Sequence, residues 1–313
     1  MSKNFAVIGV GGYIAPRHLR AIRDTGNQLL VAVDPKDSVG ILDQYSFDVK
    51  FFTEIERFDR HLEKLRRGPE EGRIHYVSIC SPNYLHDSHC RLALRSGADV
   101  ICEKPLVINP WNLDALEEIE AETKHRVNTI LQLRVHPELI KLRESLKKEN
   151  TVHDVELTYI TSRGPWYQVS WKGDHEKSGG VATNIGIHFF DLLMWLFGSV
   201  VGLKVYHVDG QRMSGFIELE HARVRWFLSV DKNDLPSSVK VGGKTTYRSI
   251  IVSGKEIEFS EGFTDLHTRV YEETLAGRGF GLKDARPSIT LTHAIRTAPI
   301  SPMDELAHSL LKK

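Results

Sequence analysis

The run Cys102-Glu103-Lys104-Pro105 sets a lysine where chemistry is easily done. It follows Ala98-Asp99-Val100-Ile101, an apolar stretch that reads as a buried strand, and Pro105 cannot extend a hydrogen-bonded ladder. Lys104 therefore stands at the carboxyl edge of a sheet, the edge that faces ligands when the sheet is open and parallel. A lysine there can hydrogen-bond a hydroxyl and stabilise an alkoxide as hydride leaves, or act as base if burial lowers its pKa. A second chemical group is His188, in Asn184-Ile185-Gly186-Ile187-His188-Phe189-Phe190-Asp191, the start of an apolar helix that Gly198 ends. Asn184, His188 and Asp191 fall at i, i+4 and i+7, so the spacing predicts one shared face. Histidine suits proton transfer near neutral pH. The residues leave open which of Lys104 and His188 is the base.

A third constellation opens the chain. Gly9-Val10-Gly11-Gly12-Tyr13-Ile14-Ala15 follows an apolar strand and precedes a helix, the context a dinucleotide fingerprint needs. Gly9 permits the tight turn, Gly11 lets backbone approach a pyrophosphate, and the helix amino terminus offers unpaired N–H groups. Ile14 stands where the third glycine is usual, and Ala15 is left to serve the close helix–strand packing. Asp34 ends the second strand, where a carboxylate accepts ribose hydroxyls and repels a 2′-phosphate. No arginine follows in Lys36-Asp37-Ser38, so NAD is expected rather than NADP.

The elements that position these groups are readable. Short apolar runs at Phe5–Val10, Leu29–Asp34, Tyr76–Ser81, Asp99–Glu103 and Asn128–Leu133 alternate with helical patterns. Those helices are Arg17–Thr25, Phe58–Arg67, His86–Ser96 and Asn112–His125. This grammar predicts βαβ units and a parallel sheet. After Arg134 it changes. A helix over Pro137–Lys148 leads into extended segments at Asp154–Ser162, Gly202–Val208, Ser214–Leu219, Ala222–Val230 and Tyr247–Glu258. Helices near Asp265–Ala276 and Ser288–Thr297 close the chain. The predicted architecture is α/β: a Rossmann dinucleotide-binding domain over 1–133, then an α+β domain over 134–313 with a mostly antiparallel open sheet.

Composition narrows the function. Lysine plus arginine and aspartate plus glutamate each number 41 in 313 residues. A chain of zero formal charge is a poor candidate for a nucleic-acid partner, and any anionic ligand must be held by a local cluster. Three cysteines, Cys80, Cys90 and Cys102, show neither disulfide nor zinc spacing, and no metal is expected. No signal peptide and no apolar stretch long enough to span a bilayer are read, so a cytoplasmic protein without a membrane partner is expected.

The glycine loop, Glu103-Lys104-Pro105 and Asn184-x-Gly186-x-His188-x-x-Asp191 together resemble the Gfo/Idh/MocA family of nicotinamide-dependent oxidoreductases. The resemblance implies cofactor contacts from Gly9, Gly11, Gly12, Tyr13, Ile14 and Asp34, and from Glu103, Lys104 and Gln132. Ser78-Ile79-Cys80-Ser81-Pro82-Asn83-Tyr84-Leu85-His86 is similar to a family segment lining the nicotinamide side, which adds Cys80, Ser81, Pro82, Asn83 and His86. For His86 a purely structural role at the helix start weighs equally. The resemblance also implies that Lys104 and His188 work together, His188 as acid/base and Lys104 orienting and polarising the hydroxyl. Asn184 stands where many members have aspartate, so a simple Asp–His relay is not implied.

Longer segments are similar to one subgroup, the UDP-N-acetyl-2-amino-2-deoxyglucuronate dehydrogenases of bacterial surface-polysaccharide synthesis. They include Gly12-Tyr13-Ile14-Ala15-Pro16-Arg17-His18, Tyr159-Ile160-Thr161-Ser162-Arg163-Gly164, Ser170-Trp171-Lys172-Gly173-Asp174 and Phe259-Ser260-Glu261-Gly262-Phe263-Thr264-Asp265-Leu266-His267. The implied reaction is NAD-dependent oxidation at C3 of UDP-N-acetylglucosaminuronate, with 2-oxoglutarate as a further partner that reoxidises NADH. Arg163, Tyr167, Lys172 and Asn184 join Lys104 and His188 as expected substrate contacts, since a uronate linked to a diphosphate calls for cations and stacking rings. A homo-oligomer, dimer or tetramer, is expected from the open sheet and the family. The competing readings are a dehydrogenase of a free sugar or inositol, which would not need the Arg163–Lys172 cluster, and a non-catalytic NAD(H)-binding redox sensor.

Overall fold

The computed structural model describes residues 2–149, 151–257 and 265–312. Six strands form the first sheet: β1 (Asn4–Ile8), β2 (Gln28–Val33), β3 (Lys50–Phe52), β4 (Tyr76–Ile79), β5 (Asp99–Cys102) and β6 (Val127–Thr129). Their order is β3-β2-β1-β4-β5-β6 and every pairing is parallel. All five residues of β1 are buried, which is why its sequence is continuously apolar rather than alternating. Helices α1 (Ala15–Asp24), α2 (Ile55–Arg66), α3 (His86–Arg95) and α4 (Trp111–Thr123) make the crossovers. The strand order reverses between β1 and β4, the place where such sheets hold ligands at their carboxyl ends.

The second sheet begins after α5 (Pro137–Leu146). Its strands are β7 (His153–Thr161), β8 (Val200–Val208), β9 (Arg212–Leu219), β10 (Ala222–Ser229), β11 (Thr246–Val252) and β12 (Lys255–Glu256), in the order β12-β11-β7-β10-β9-β8. Only β7–β10 is parallel; the other pairs are antiparallel. Two short helices, α6 (Trp166–Val169) and α7 (His175–Ser178), precede α8 (Ile187–Phe197). The latter packs on one sheet face, with Phe189 and Tyr159 ring centres 4.7 Å apart and Phe190 edge-on to Trp226 at 5.3 Å. Gly186 makes this approach possible: a Cβ there would lie 2.5 Å from Leu228 Cδ1. On the sheet, Tyr206 and Phe216 pack with Ala307, Leu306 and Leu311, and Ile160 and Phe227 with Leu310 and Leu311. The chain's own tail thus covers part of the face expected to be open. The short α9 (Ser237–Val241) lies between β10 and β11.

The chain divides into two units, Met1–Val135 with Thr264–Arg286, and His136–Phe263 with Pro287–Lys313. The sequence reading gave everything beyond 133 to the second domain. The helix α10 (Leu266–Leu275) instead belongs with the first unit, because it packs on α1 and sends His267 and Tyr271 to buried partners there. The last helix, α11 (Leu282–Thr297), starts two turns before the expected Ser288 and takes Pro287 inside, forgoing one intrahelical hydrogen bond. The expected strand Asn128–Leu133 ends at Thr129, as Gln132–Val135 tightens into a 3₁₀ turn, and β3 was not foreseen. Residues 258–264, the end of the expected strand Tyr247–Glu258 and most of the segment Phe259–His267, lie outside the described residues.

One composition reading needs correction. The helical run His175–Phe197 spans 23 residues, enough by length and composition to cross a bilayer. Most of its apolar part is buried inside the protein, so its apolarity is accounted for by the core it fills.

Candidate functional site

In the first unit the carboxyl ends of the strands collect most of the expected residues. Gly9 follows β1 with φ +84°, and a Cβ on it would lie 2.7 Å from the backbone of Cys80 and Ser81. Its N–H donates to Val33 O at 2.8 Å, tying the loop to the end of β2. Asp34 there is buried; its carboxylate accepts from Gly11 N–H and Lys36 N–H, both at 2.9 Å. Gly12 N–H returns to Gly9 O, Ile14 caps α1 without a side-chain hydrogen bond, and Tyr13 is 89% exposed. This loop leaves no room for side chains, and a carboxylate stands over it. That arrangement fits an adenosine diphosphate moiety without a 2′-phosphate.

Beyond β4, Cys80 and Ser81 are buried, and burial pushes the Cys80 thiol well up, so it is an inert wall of the site. Pro82 caps the 3₁₀ turn Asn83–Leu85 that follows, and Asn83 is buried. His86 does not face solvent: its ring nitrogens lie 2.7 Å from Pro105 O and 2.8 Å from Ser81 O. It clasps the segments that follow β4 and β5 to each other. Thr129 Oγ1, at the end of β6, and Gln132 Oε1 just beyond it are buried without a hydrogen-bond partner among the described residues. Orphaned acceptors at this edge are what a bound amide or ribose would satisfy.

Glu103 is 6% exposed, and its Oε1 lies 2.9 Å from His18 Nε2 and 2.8 Å from His267 Nε2. Burial alone would raise the Glu103 carboxyl, but these hydrogen bonds outweigh it and hold the group well below the usual carboxylate range. Its Oε2 accepts the Lys104 N–H at 3.2 Å. His18 Nδ1 lies 2.7 Å from Tyr271 Oη, which lies 2.6 Å from Ser78 Oγ. Sequence reasoning missed His18, His267, Tyr271 and Ser78, although His18 and His267 sit inside two of the segments shared with the subgroup. Glu103 itself was expected to touch cofactor; both its oxygens are engaged within the protein.

The second unit holds the remaining candidates. Arg163 follows β7, exposed, with its N–H on Val230 O. Lys172 Nζ lies 4.5 Å from the Trp171 ring centre and 5.7 Å from that of Trp166. Burial, then the Arg163 guanidinium, lower its pKa, so the two cations share one neighbourhood as expected. Tyr167 is 2% exposed, and its hydroxyl accepts from Asn184 Nδ2 at 2.7 Å, which ties the two expected substrate contacts to each other. Asn184 lies buried within Ala182–Gly186, a π-helical turn that the sequence reading did not foresee and that leads directly into α8. His188 and Asp191 keep i, i+3 spacing within α8, His188 half-buried and Asp191 buried.

These features are those of known proteins. A family model described as oxidoreductase family, NAD-binding Rossmann fold, matches residues 3–130, and its C-terminal alpha/beta companion matches 144–298. The chain belongs to the Gfo/Idh/MocA oxidoreductase family. Within it, the chain is 51% identical to the WlbA (WbpB) dehydrogenase of Thermus thermophilus, covering 98% of each chain with a TM-score of 0.94. Crystal structures of that enzyme hold NAD with UDP-GlcNAcA, and NAD with alpha-ketoglutarate. The Bordetella pertussis WlbA dehydrogenase shares the fold at 17% identity, over 97% of this chain and all of that one, with a TM-score of 0.76. Among curated relatives, inositol 2-dehydrogenase of Rhizobium meliloti is 26% identical over 63% of this chain, which spans just over half (56%) of that protein.

Proposed function

We propose that the protein is an NAD-dependent dehydrogenase that oxidises the C3 hydroxyl of UDP-N-acetylglucosaminuronate to the 3-keto sugar. The observation that carries this is the 51% identity, over 98% of both chains, to a dehydrogenase crystallised with NAD and that sugar nucleotide. The residues support it. Asp34 over the glycine loop favours NAD, and the Arg163–Lys172–Trp171 cluster offers charge and stacking to a uronate and its diphosphate. When bound, nicotinamide supplies the hydride acceptor. The chain must remove the hydroxyl proton and hold the oxygen as its bond order to carbon rises. Lys104 orients and polarises that oxygen, and His188 takes the proton.

The same proposal extends to 2-oxoglutarate, which would take hydride and a proton to become 2-hydroxyglutarate and so regenerate NAD in place, gripped by Arg163. It also includes work in the cytoplasm on sugars for surface polysaccharide (O-antigen), and a homo-oligomeric state. The test mixes purified protein with UDP-N-acetylglucosaminuronate and NAD and follows NADH absorbance. It is run with and without 2-oxoglutarate, with free glucose and inositol as controls. NADH formation, or 2-hydroxyglutarate in the coupled case, is expected. Silence on the sugar nucleotide with activity on a polyol would replace the substrate by the kind the inositol 2-dehydrogenase relative is named for.

A further inference from the structure

The network around Glu103 is fully directional. A carboxylate only accepts, so His18 and His267 must both donate to Oε1 through Nε2–H. Burial lowers the pKa of His18, so its ring is neutral and its Nδ1 is an acceptor. The Tyr271 hydroxyl must then donate to Nδ1, and the Ser78 hydroxyl to Tyr271. Each of these directions follows from the charge on Glu103. The three ligand-type atoms lie within 4.8 Å of one another. The N···O contacts of 2.8 and 2.9 Å are nonetheless hydrogen bonds; donors around a zinc ion at about 2.0–2.2 Å from each would point at the ion instead.

We propose that Glu103, gripped by His18 and His267, is a positioning residue that fixes the peptide carrying Lys104 and gives that lysine a permanent negative neighbour. It neither touches cofactor nor binds metal. The proposal rests on the assignment of Lys104 to the reaction. Its residues come from α1, β4, the end of β5 and α10, so the returning helix is part of the device. The other titratable groups around Glu103 are Cys80, His86, Cys102 and Tyr271, with Arg17 beside His18 and Lys104 beside His86.

The test is Glu103→Gln in the NAD-loaded enzyme. NAD affinity should stay within about threefold, and kcat should fall by about 30-fold or more, as expected of a misplaced reacting group. The Lys104 titration, read by carbon-13 NMR of the reductively methylated protein with Lys104→Arg to assign the signal, should move about one unit to lower pH, because a favourable charge is gone. His267→Gln should cost less alone and almost nothing on top of Glu103→Gln. An NAD affinity loss of that size with an unmoved Lys104 titration would make Glu103 a cofactor contact and overturn the proposal. So would strictly additive losses, or one equivalent of zinc that His267→Gln releases. If Glu103→Gln does not fold, nitrogen-15 NMR of the native protein decides: Nε2–H on both histidines with a bare Nδ1 on His18 supports the network, and any other pattern overturns it. The titration and tautomer readouts need no substrate. An enzyme inactive on the sugar nucleotide that passes both would therefore remove the substrate assignment and leave the positioning role.

Discussion

Two residues carry most of the proposed chemistry. Lys104→Ala should spare NAD binding and reduce turnover by about 10²–10⁴-fold, the size of a lost acid/base or polarising group. His188→Asn should do the same with an unchanged melting curve. Turnover by either variant within a few-fold of the native enzyme would remove that residue from the reaction. Asp34 carries the cofactor choice, since its carboxylate hydrogen-bonds Gly11 N–H and Lys36 N–H and so stays at the loop. Asp34→Ser should narrow the preference for NAD over NADP by at least about tenfold, measured as the ratio of the two dissociation constants. At this scale the sequence was readable for the position of residues beside a strand end or glycine turn, as with Asp34 after β2 and Lys104 after β5. It was silent on the pairing of Glu103 with His267, which meet across 164 residues, because no local periodicity encodes it.

Among the elements, the parallel sheet was legible since buried strands need continuous apolar runs. The three-residue β3 was not, because Lys50-Phe51-Phe52 is too short to show a pattern. The π turn before α8 was equally hidden: helical periodicity assumes the α spacing, and one extra residue per turn leaves composition unchanged. The glycine turn after β1 gives a prediction proper to this scale. Gly9→Ala puts a side chain on a residue at φ +84° and 2.7 Å from the Cys80 and Ser81 backbone, where neither neighbour can yield. It should destabilise the protein by about 1–3 kcal/mol and weaken NAD binding with it. A variant that melts with the native protein would show the loop to be more pliant than its contacts imply.

Across the whole molecule, the tail links stability to acidity. His308 is fully buried; its Nδ1 accepts from Leu310 N–H, and its Nε2 lies 3.0 Å from Thr158 Oγ1. Burial lowers its pKa to about 4, against 6.5 for a free histidine. The unfolded chain therefore takes up a proton before the folded one does, and stability should fall as pH drops from about 6.5 towards 4. Melting temperatures across that range should fall more steeply for the native protein than for His308→Gln. Parallel slopes would mean that other groups set the acid limit.

The return of α10 to the first unit has a consequence for how the protein is made. A ribosome releases the amino-terminal strands first, and the partner of Glu103 on α10, His267, only after the whole second sheet has been synthesised. Until then the nascent nucleotide-binding half carries a buried acid with one of its two imidazoles missing. A polypeptide cut between Asp191 and His267, by a premature stop codon or a protease, would keep every glycine and lysine of the recognisable motifs yet lack the piece that completes their support.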